Sequence, residues 1–221
     1  MTRIIAIGAL VIFSTALLVG QAKTAPKPSP VPVQWEIDID VQKPKALRVR
    51  ATGESPARVF WYMVYTVTNN TPKDQVFVPE FTLYTDTGQI LRAGQQVPTT
   101  VFDAIKNTAN DPLLRDTIGV AGKLLQGTDN AKTGVAIWPD FDPQAGAFDV
   151  FIGGLSGETT EIKLPEPIDV RQRDAKGEIK TVTKDKMILS KTLHLRYSIL
   201  GEAAARLGVT PSLVSKDWIM R

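Results

Sequence analysis

Residues 58–69, Arg-Val-Phe-Trp-Tyr-Met-Val-Tyr-Thr-Val-Thr-Asn, constrain the fold more than any other stretch of the chain. β-Branched and aromatic side chains dominate the run, which is strand composition. Side chains alternate across a strand, so Phe60, Tyr62 and Val64 line one face while Val59, Trp61, Met63, Tyr65 and Val67 line the other. Both faces are apolar and both must be covered. The expectation is a central strand buried between two layers of sheet. Asn69-Asn70-Thr71-Pro72 then ends it with turn residues. Asn69-Asn70-Thr71 also matches the glycosylation acceptor pattern, but a turn accounts for it.

Other strands follow from alternation and from turn chemistry. Val33–Val41 alternates apolar and polar, and 46–51 does so similarly. The segments 80–85 and 89–92 flank Asp86-Thr87-Gly88, a hairpin turn with glycine where positive φ is needed. The segments 134–138 and 147–153 read as another strand pair, joined by Pro139-Asp140-Phe141-Asp142-Pro143. The segments 168–173 and 178–183 flank Asp174-Ala175-Lys176-Gly177, which suits a type I turn with a bulge. Leu193, Leu195, Tyr197 and Ile199 alternate within 186–200, and an aromatic-aliphatic tail at 215–221 reads as a last strand tied into the sheet.

Helical signals are few and read as decorations between strands. Thr100-Val-Phe-Asp103 resembles a capped start, opening a helix to about Asn107. Asn110-Asp111-Pro112 suits a short turn, and 202–208 a short helix ended by glycine. Many short strands with helical inserts define an all-β class, a β-sandwich.

The N-terminus carries Arg3, an apolar run over 4–20 and small residues at Gly20 and Ala22, the pattern of a secretory signal peptide cut after Ala22. At 17 residues the run is also at the lower edge of a membrane-spanning length, so an uncleaved anchor is the alternative. Residues 23–33 hold four prolines in eleven positions, a linker. Residues 34–221 then form one domain, with a C-terminal β extension from about 166. The expected location is periplasmic or extracellular, with membrane contact only through residues 4–20.

No cysteine occurs, which removes disulfides, thiol catalysis and cysteine–metal sites together. With 26 Lys+Arg against 23 Asp+Glu, and Arg3 alone in the leader, the exported part carries 25 − 23 = +2. That is too mild for a nucleic-acid partner. Basic residues do outnumber acidic ones from Arg171 to Arg196, which reads as solvated strand edges where lysine discourages edge-to-edge association.

Tyr65-Thr-Val-Thr-Asn-Asn-Thr71, Phe81-Thr-Leu-Tyr-Thr-Asp-Thr-Gly88, Gly134-Val-Ala-Ile-Trp138 and Phe148-Asp-Val-Phe-Ile152 together resemble the telokin-like, immunoglobulin-type domains of exported bacterial proteins. The resemblance covers about residues 58–153; the stretch 99–130 and everything after Pro165 depart from it. Leu124–Asn130 and Gly154–Thr159 are similar to segments in exported proteins of planctomycete-type bacteria. The resemblance implies an immunoglobulin-like sandwich acting as a non-catalytic envelope module, and it carries over no catalytic residue.

Chemistry-bearing residues are sparse. Ser156 has Gly154 two residues before it but Glu158 two after, where a nucleophile elbow needs glycine. The single histidine, His194, lies in an alternating strand and cannot alone build a histidine-rich metal site. Calcium needs only oxygens, but Asp140, Asp142, Asp129 and Asn130 lie in ordinary loops. A carboxylate-pair hydrolase would need two acids in one cleft. Trp35, Trp61, Trp138 and Trp218 are more simply core than sugar platform. Trp138, followed by Pro139 and Asp140, is the candidate exposed aromatic, and with Asp142 it defines a possible carbohydrate or small-ligand site at the loop end. The expectation is a non-enzymatic protein-interaction or structural module of the cell envelope, needing no cofactor and no metal, whose partner is another envelope protein.

Overall fold

The computed structural model describes residues 25–50, 56–175, 177–199, 201 and 206–221. The leader expected at 1–22 and most of the short helix expected at 202–208 lie outside them; Arg206–Gly208 form a 3-10 turn. Along the chain run β1 (Asp38–Val41), β2 (Lys45–Val49), β3 (Arg58–Thr68), β4 (Gln75–Phe77), β5 (Glu80–Thr85), β6 (Ile90–Arg92), α1 (Thr99–Ala109) and α2 (Thr117–Val120). They are followed by β7 (Gly122–Leu124), β8 (Lys132–Pro139), β9 (Ala147–Gly153), β10 (Thr159–Arg173), β11 (Ile179–Ser198) and β12 (Ser212–Met220).

Two antiparallel sheets pack face to face. In the first, β3 is central, with β8 along one edge and β1 and β2 sharing the other. The second has the order β12-β11-β9-β5-β6. Trp61, Met63, Tyr65 and Val67 of β3 meet Phe81, Phe148, Val150 and Leu195 of the second sheet in one buried cluster. This is an all-β sandwich.

The other face of β3 is covered differently from the expectation. Phe60, Tyr62 and Val64 pack with Val135 and Ile137 of β8 against Val101 and Ile105 of α1 and Leu114 beyond it. The second cover of the central strand is therefore a helix and not a sheet. α1 presents Val101 and Ile105 four residues apart, which puts both on one helical face. The helical insert is a third layer of the domain, not a decoration. It starts at Pro98 with no side-chain cap, whereas Thr100 was the expected capping residue.

The expected pairing of 134–138 with 147–153 is also corrected. β8 pairs with β3, and β9 pairs with β5 and β11. Residues 140–146 carry the chain from one sheet to the other, so the strands on either side face each other across the core instead of sharing hydrogen bonds. Asn69, fully buried, explains the turn after β3: its amide donates to the carbonyls of Lys73 and Leu124 at 2.9 and 3.0 Å. A side-chain nitrogen so engaged is a turn anchor and no glycan acceptor.

Beyond the sandwich, β10 and β11 continue as a two-stranded ribbon. Lys191 N–H donates to the Glu158 carbonyl, while Ser190 exchanges backbone bonds with Arg221, so β10 follows β9 along one edge of β11 and β12 takes the other. From Ile179 to Leu189, β11 has only β10 as a strand neighbour among the described residues. The turn matches expectation, with Gly177 at φ 86° and its N–H donating to the Asp174 carbonyl.

Candidate functional site

The expected loop-end site comes apart in the structure. Trp138 is 1% exposed and sits opposite Trp61 across the β3–β8 ladder, so it offers no stacking surface. Strand alternation places it on the same inward face as Ala136. Asp140 accepts a hydrogen bond from Trp61 Nε1 at 2.9 Å and another from the Phe141 N–H at 3.0 Å. Asp142 accepts from the Gln144 N–H at 2.9 Å, and its own N–H donates to Gln89 Oε1 at 2.7 Å. These acids shape the crossing between sheets. Among the described residues no three His, Cys, Asp or Glu side chains converge as a metal site. Ser156 and His194 hold separate partners: Ser156 Oγ accepts from the Glu158 N–H, and His194 Nε2 lies 2.7 Å from Asp149 Oδ1.

Two other features emerge. The first is a cleft of about 300 Å³ on the outward face of the second sheet. Strand register explains it. One cross-strand row runs Thr192, Gly153 and Glu80; the next runs His194, Phe151 and Thr82; the third runs Arg196, Asp149 and Tyr84. Gly153, lacking a side chain, leaves a hollow in the middle of the first row. Gly154 beside it has φ 82°, and a Cβ there would stand 2.2 Å from the Val78 carbonyl oxygen, so the chain can turn away under the hollow only with glycine.

Arg221 reaches across this hollow. Its guanidinium lies 4.4 Å from the centre of the Phe151 ring and 4.7 Å from that of Tyr84, and it donates to the Tyr84 hydroxyl. His194 stacks on Phe151 with centroids 4.8 Å apart. Thr82 and Thr192, both more than nine-tenths buried, line the floor, and Glu80 stands exposed on one wall. Of these residues only His194 was singled out from the sequence, and not for this cleft. One signal was legible: Phe148, Val150 and Ile152 take the inward positions of β9, which leaves Phe151 facing out as an aromatic on a solvent face.

The second feature is the β10–β11 arm. Ile179 and Ile188 are 65% and 69% exposed, and Ile168, Val182 and Met187 are exposed as well. Cross-strand contacts hold it together: Thr183 Oγ1 donates to Asp169 at 2.7 Å, Lys186 pairs with Glu161 at 2.7 Å, and Lys180 with Asp174 at 2.7 Å. The register slips between Lys163 and Ile168, a stretch that includes Pro165 and Pro167, which have no N–H to give a ladder. The basic run noted in the sequence lies largely on this arm.

At the root of the arm, the N-terminal segment is clamped down. Lys191 is 2% exposed, with Nζ 2.9 Å from Glu36 Oε2, 3.4 Å from Glu158 Oε2 and 3.2 Å from the Ser29 carbonyl oxygen. Its ammonium also lies 5.1 Å from the Trp218 ring. Burial pushes the Lys191 ammonium down, but Glu36 and Glu158 outweigh it and the net shift is upward. Glu36 and Glu158 thus converge on a cation, and the ammonium they neutralise fills the space a substrate would need. The Ser29 N–H, first, and Lys191 hold the Glu158 carboxyl below its usual range against the opposing effect of burial.

A carboxyl whose pKa falls on folding contributes stability above its unfolded value, about 4.3, and loses it as pH drops through the folded value. Acidification below about pH 4 is therefore expected to release residues 25–36 before the sandwich unfolds. Quenching of Trp218 fluorescence should increase in that range, and Glu158→Gln should abolish the step. Quenching that stays flat until global unfolding would refute the assignment.

No protein-family model, curated protein or solved structure matches this chain. Among the described residues, no helix is long and apolar enough to cross a membrane.

Proposed function

We propose that this chain is an exported, non-catalytic β-sandwich module of the cell envelope, immunoglobulin-type in frame, that engages another envelope protein through the β10–β11 arm. The leader pattern at residues 1–22 supports export, with release or anchoring decided by cleavage after Ala22. The frame is supported by strand order. β3 lies between β1/β2 and β8, while β9 lies between β5 and β11 with β6 outside, the arrangement in which successive strands exchange sheets in immunoglobulin-type sandwiches.

The arm carries the functional reading. A two-stranded ribbon is marginal in water on its own, since it has no layer to bury its apolar side chains against. Here five large aliphatic or methionine side chains remain exposed on a ribbon 11 residues long on its β11 side, from Ile179 to Leu189. Other apolar side chains are exposed elsewhere, Leu113 and Ile118 among them, but five gathered on one ribbon make a patch, and such a patch marks a contact site.

The test is a photo-crosslinking amino acid placed in turn at Ile179, Val182 and Ile188, with controls at Thr87 and Lys123 on the sandwich, in cells that export the protein. Discrete adducts with one envelope protein from the arm positions alone are expected. Equal labelling from the control positions, or none from the arm, would sink the reading; adducts between two copies of the chain would replace it with self-association.

A further inference from the structure

We propose that the cleft between Glu80 and Arg221 on the outer face of the second sheet binds a neutral saccharide, a function separate from the arm and independent of it.

The lining selects this class of ligand. A purely apolar ligand would have to desolvate Glu80 and Arg221 without replacing their hydrogen bonds, which is costly. A polyol replaces them. Glu80 supplies a planar pair of acceptors and Arg221 a planar fork of donors, the geometry that grips adjacent hydroxyl groups with two bonds at once. The hydroxyls of Thr82 and Ser190 can both donate and accept, as sugar hydroxyls require, and that of Thr192, which donates to the Ser190 carbonyl, can still accept. Phe151, with His194 stacked on it and the Arg221 guanidinium over it, adds an apolar ring edge to the hollow.

The charge arrangement points the same way. Glu80 and Arg221 face one cleft without forming an ion pair, so the site carries no net charge to demand an ionic ligand. The guanidinium is already held over two rings and by the Tyr84 hydroxyl, so little ordering remains to be done on binding. At about 300 Å³ the cleft lies at the lower end of ligand pockets, which run from roughly 300 to 1,000 Å³. One sugar unit of a chain, rather than a long segment, fits such a hollow.

Gly153 offers a clean way to block it. A Cβ at this position would meet Glu80 Cβ at 3.5 Å, an ordinary contact, and valine suits a strand. Gly153→Val therefore fills the hollow while leaving the fold intact, which near-UV circular dichroism would verify. The exposed substitutions Glu80→Gln and Arg221→Gln provide a second arm should Gly153→Val fail to fold.

The experiment is retardation of the exported protein in native gels containing β-glucan, mannan, xylan or galactan, followed by titration with the matching oligosaccharide. At least one neutral polysaccharide is expected to retard it. Glu80→Gln and Arg221→Gln are expected to weaken binding about tenfold each, the usual effect of losing a hydrogen bond to a charged group. Gly153→Val should abolish binding, and Lys180→Gln on the arm should leave it unchanged. No retardation by any of the four would overturn the proposal. So would retardation that Gly153→Val and the two exposed variants leave intact, or binding only to acidic polysaccharides that vanishes at high salt.

Discussion

Replacing Lys191 with methionine is expected to cost about 3 kcal/mol of folding stability, a large share of the roughly 5–15 kcal/mol a domain has to spend. The residue continues the inward register of Leu193, Leu195 and Tyr197 on β11, where an apolar side chain would be the default. It is charged because the N-terminal segment brings Glu36 to within 2.9 Å of it and the start of β10 brings Glu158 to within 3.4 Å. Methionine preserves the volume but leaves two carboxylates facing a site that has lost its cation. Removing one partner of a buried pair is far more damaging than replacing the whole set with apolar groups. The triple change Lys191→Met, Glu36→Gln, Glu158→Gln should accordingly recover much of the loss. Chemical denaturation with the midpoint and slope compared across these variants would measure it. A Lys191→Met variant within about 0.5 kcal/mol of the parent would show that the ammonium does not hold the segment.

Trp61→Ala is expected to cost about 4 kcal/mol, in the range for deleting a large buried aromatic. The indole is 1% exposed and stacks on Phe141 at 5.2 Å, with Phe148 at 6.3 Å. Its Nε1–H also donates to Asp140 at 2.9 Å, so one side chain both fills the gap between the sheets and fastens the segment that crosses from β8 to β9. Two effects should follow together. Global stability falls, and amide hydrogen exchange quickens first at 140–146, since local opening needs fewer contacts broken there. Trp61→Phe restores the packing without the donor; it should regain most of the stability but leave the crossing segment less protected than in the parent. Equal protection of 140–146 in Trp61→Phe and the parent would remove the hydrogen bond from the account.

The candidate site was much less legible than the fold. Trp138 drew attention because an aromatic beside Pro139 and Asp140 suggests a loop, yet ladder pairing with β3 turns it inward against Trp61. Glu80, Phe151 and Thr192 lie on separate strands and Arg221 just past the end of another, with Glu80 and Phe151 71 residues apart, and nothing in their local spacing relates them. Lys191 carried a signal that went unread, a lysine in step with four inward apolar residues. The arm is intermediate. Its turn follows from Asp174 and Gly177, but a strand pattern says nothing of whether a neighbour exists to cover it.

What the order of residues determined by itself was local and periodic. Alternation over 58–69 makes a strand apolar on both faces, glycines at 88 and 177 make turns, and the lack of cysteine leaves burial to supply the stability. Tertiary structure alone decided what lies against those faces. α1 covers one side of β3, β8 and β9 part to opposite sheets, and four distant side chains meet around Gly153. The physical reason is that backbone geometry and side-chain alternation act over a few residues, whereas the partner of a buried face is chosen by whichever distant segment can cover it at the least cost in unpaired polar groups.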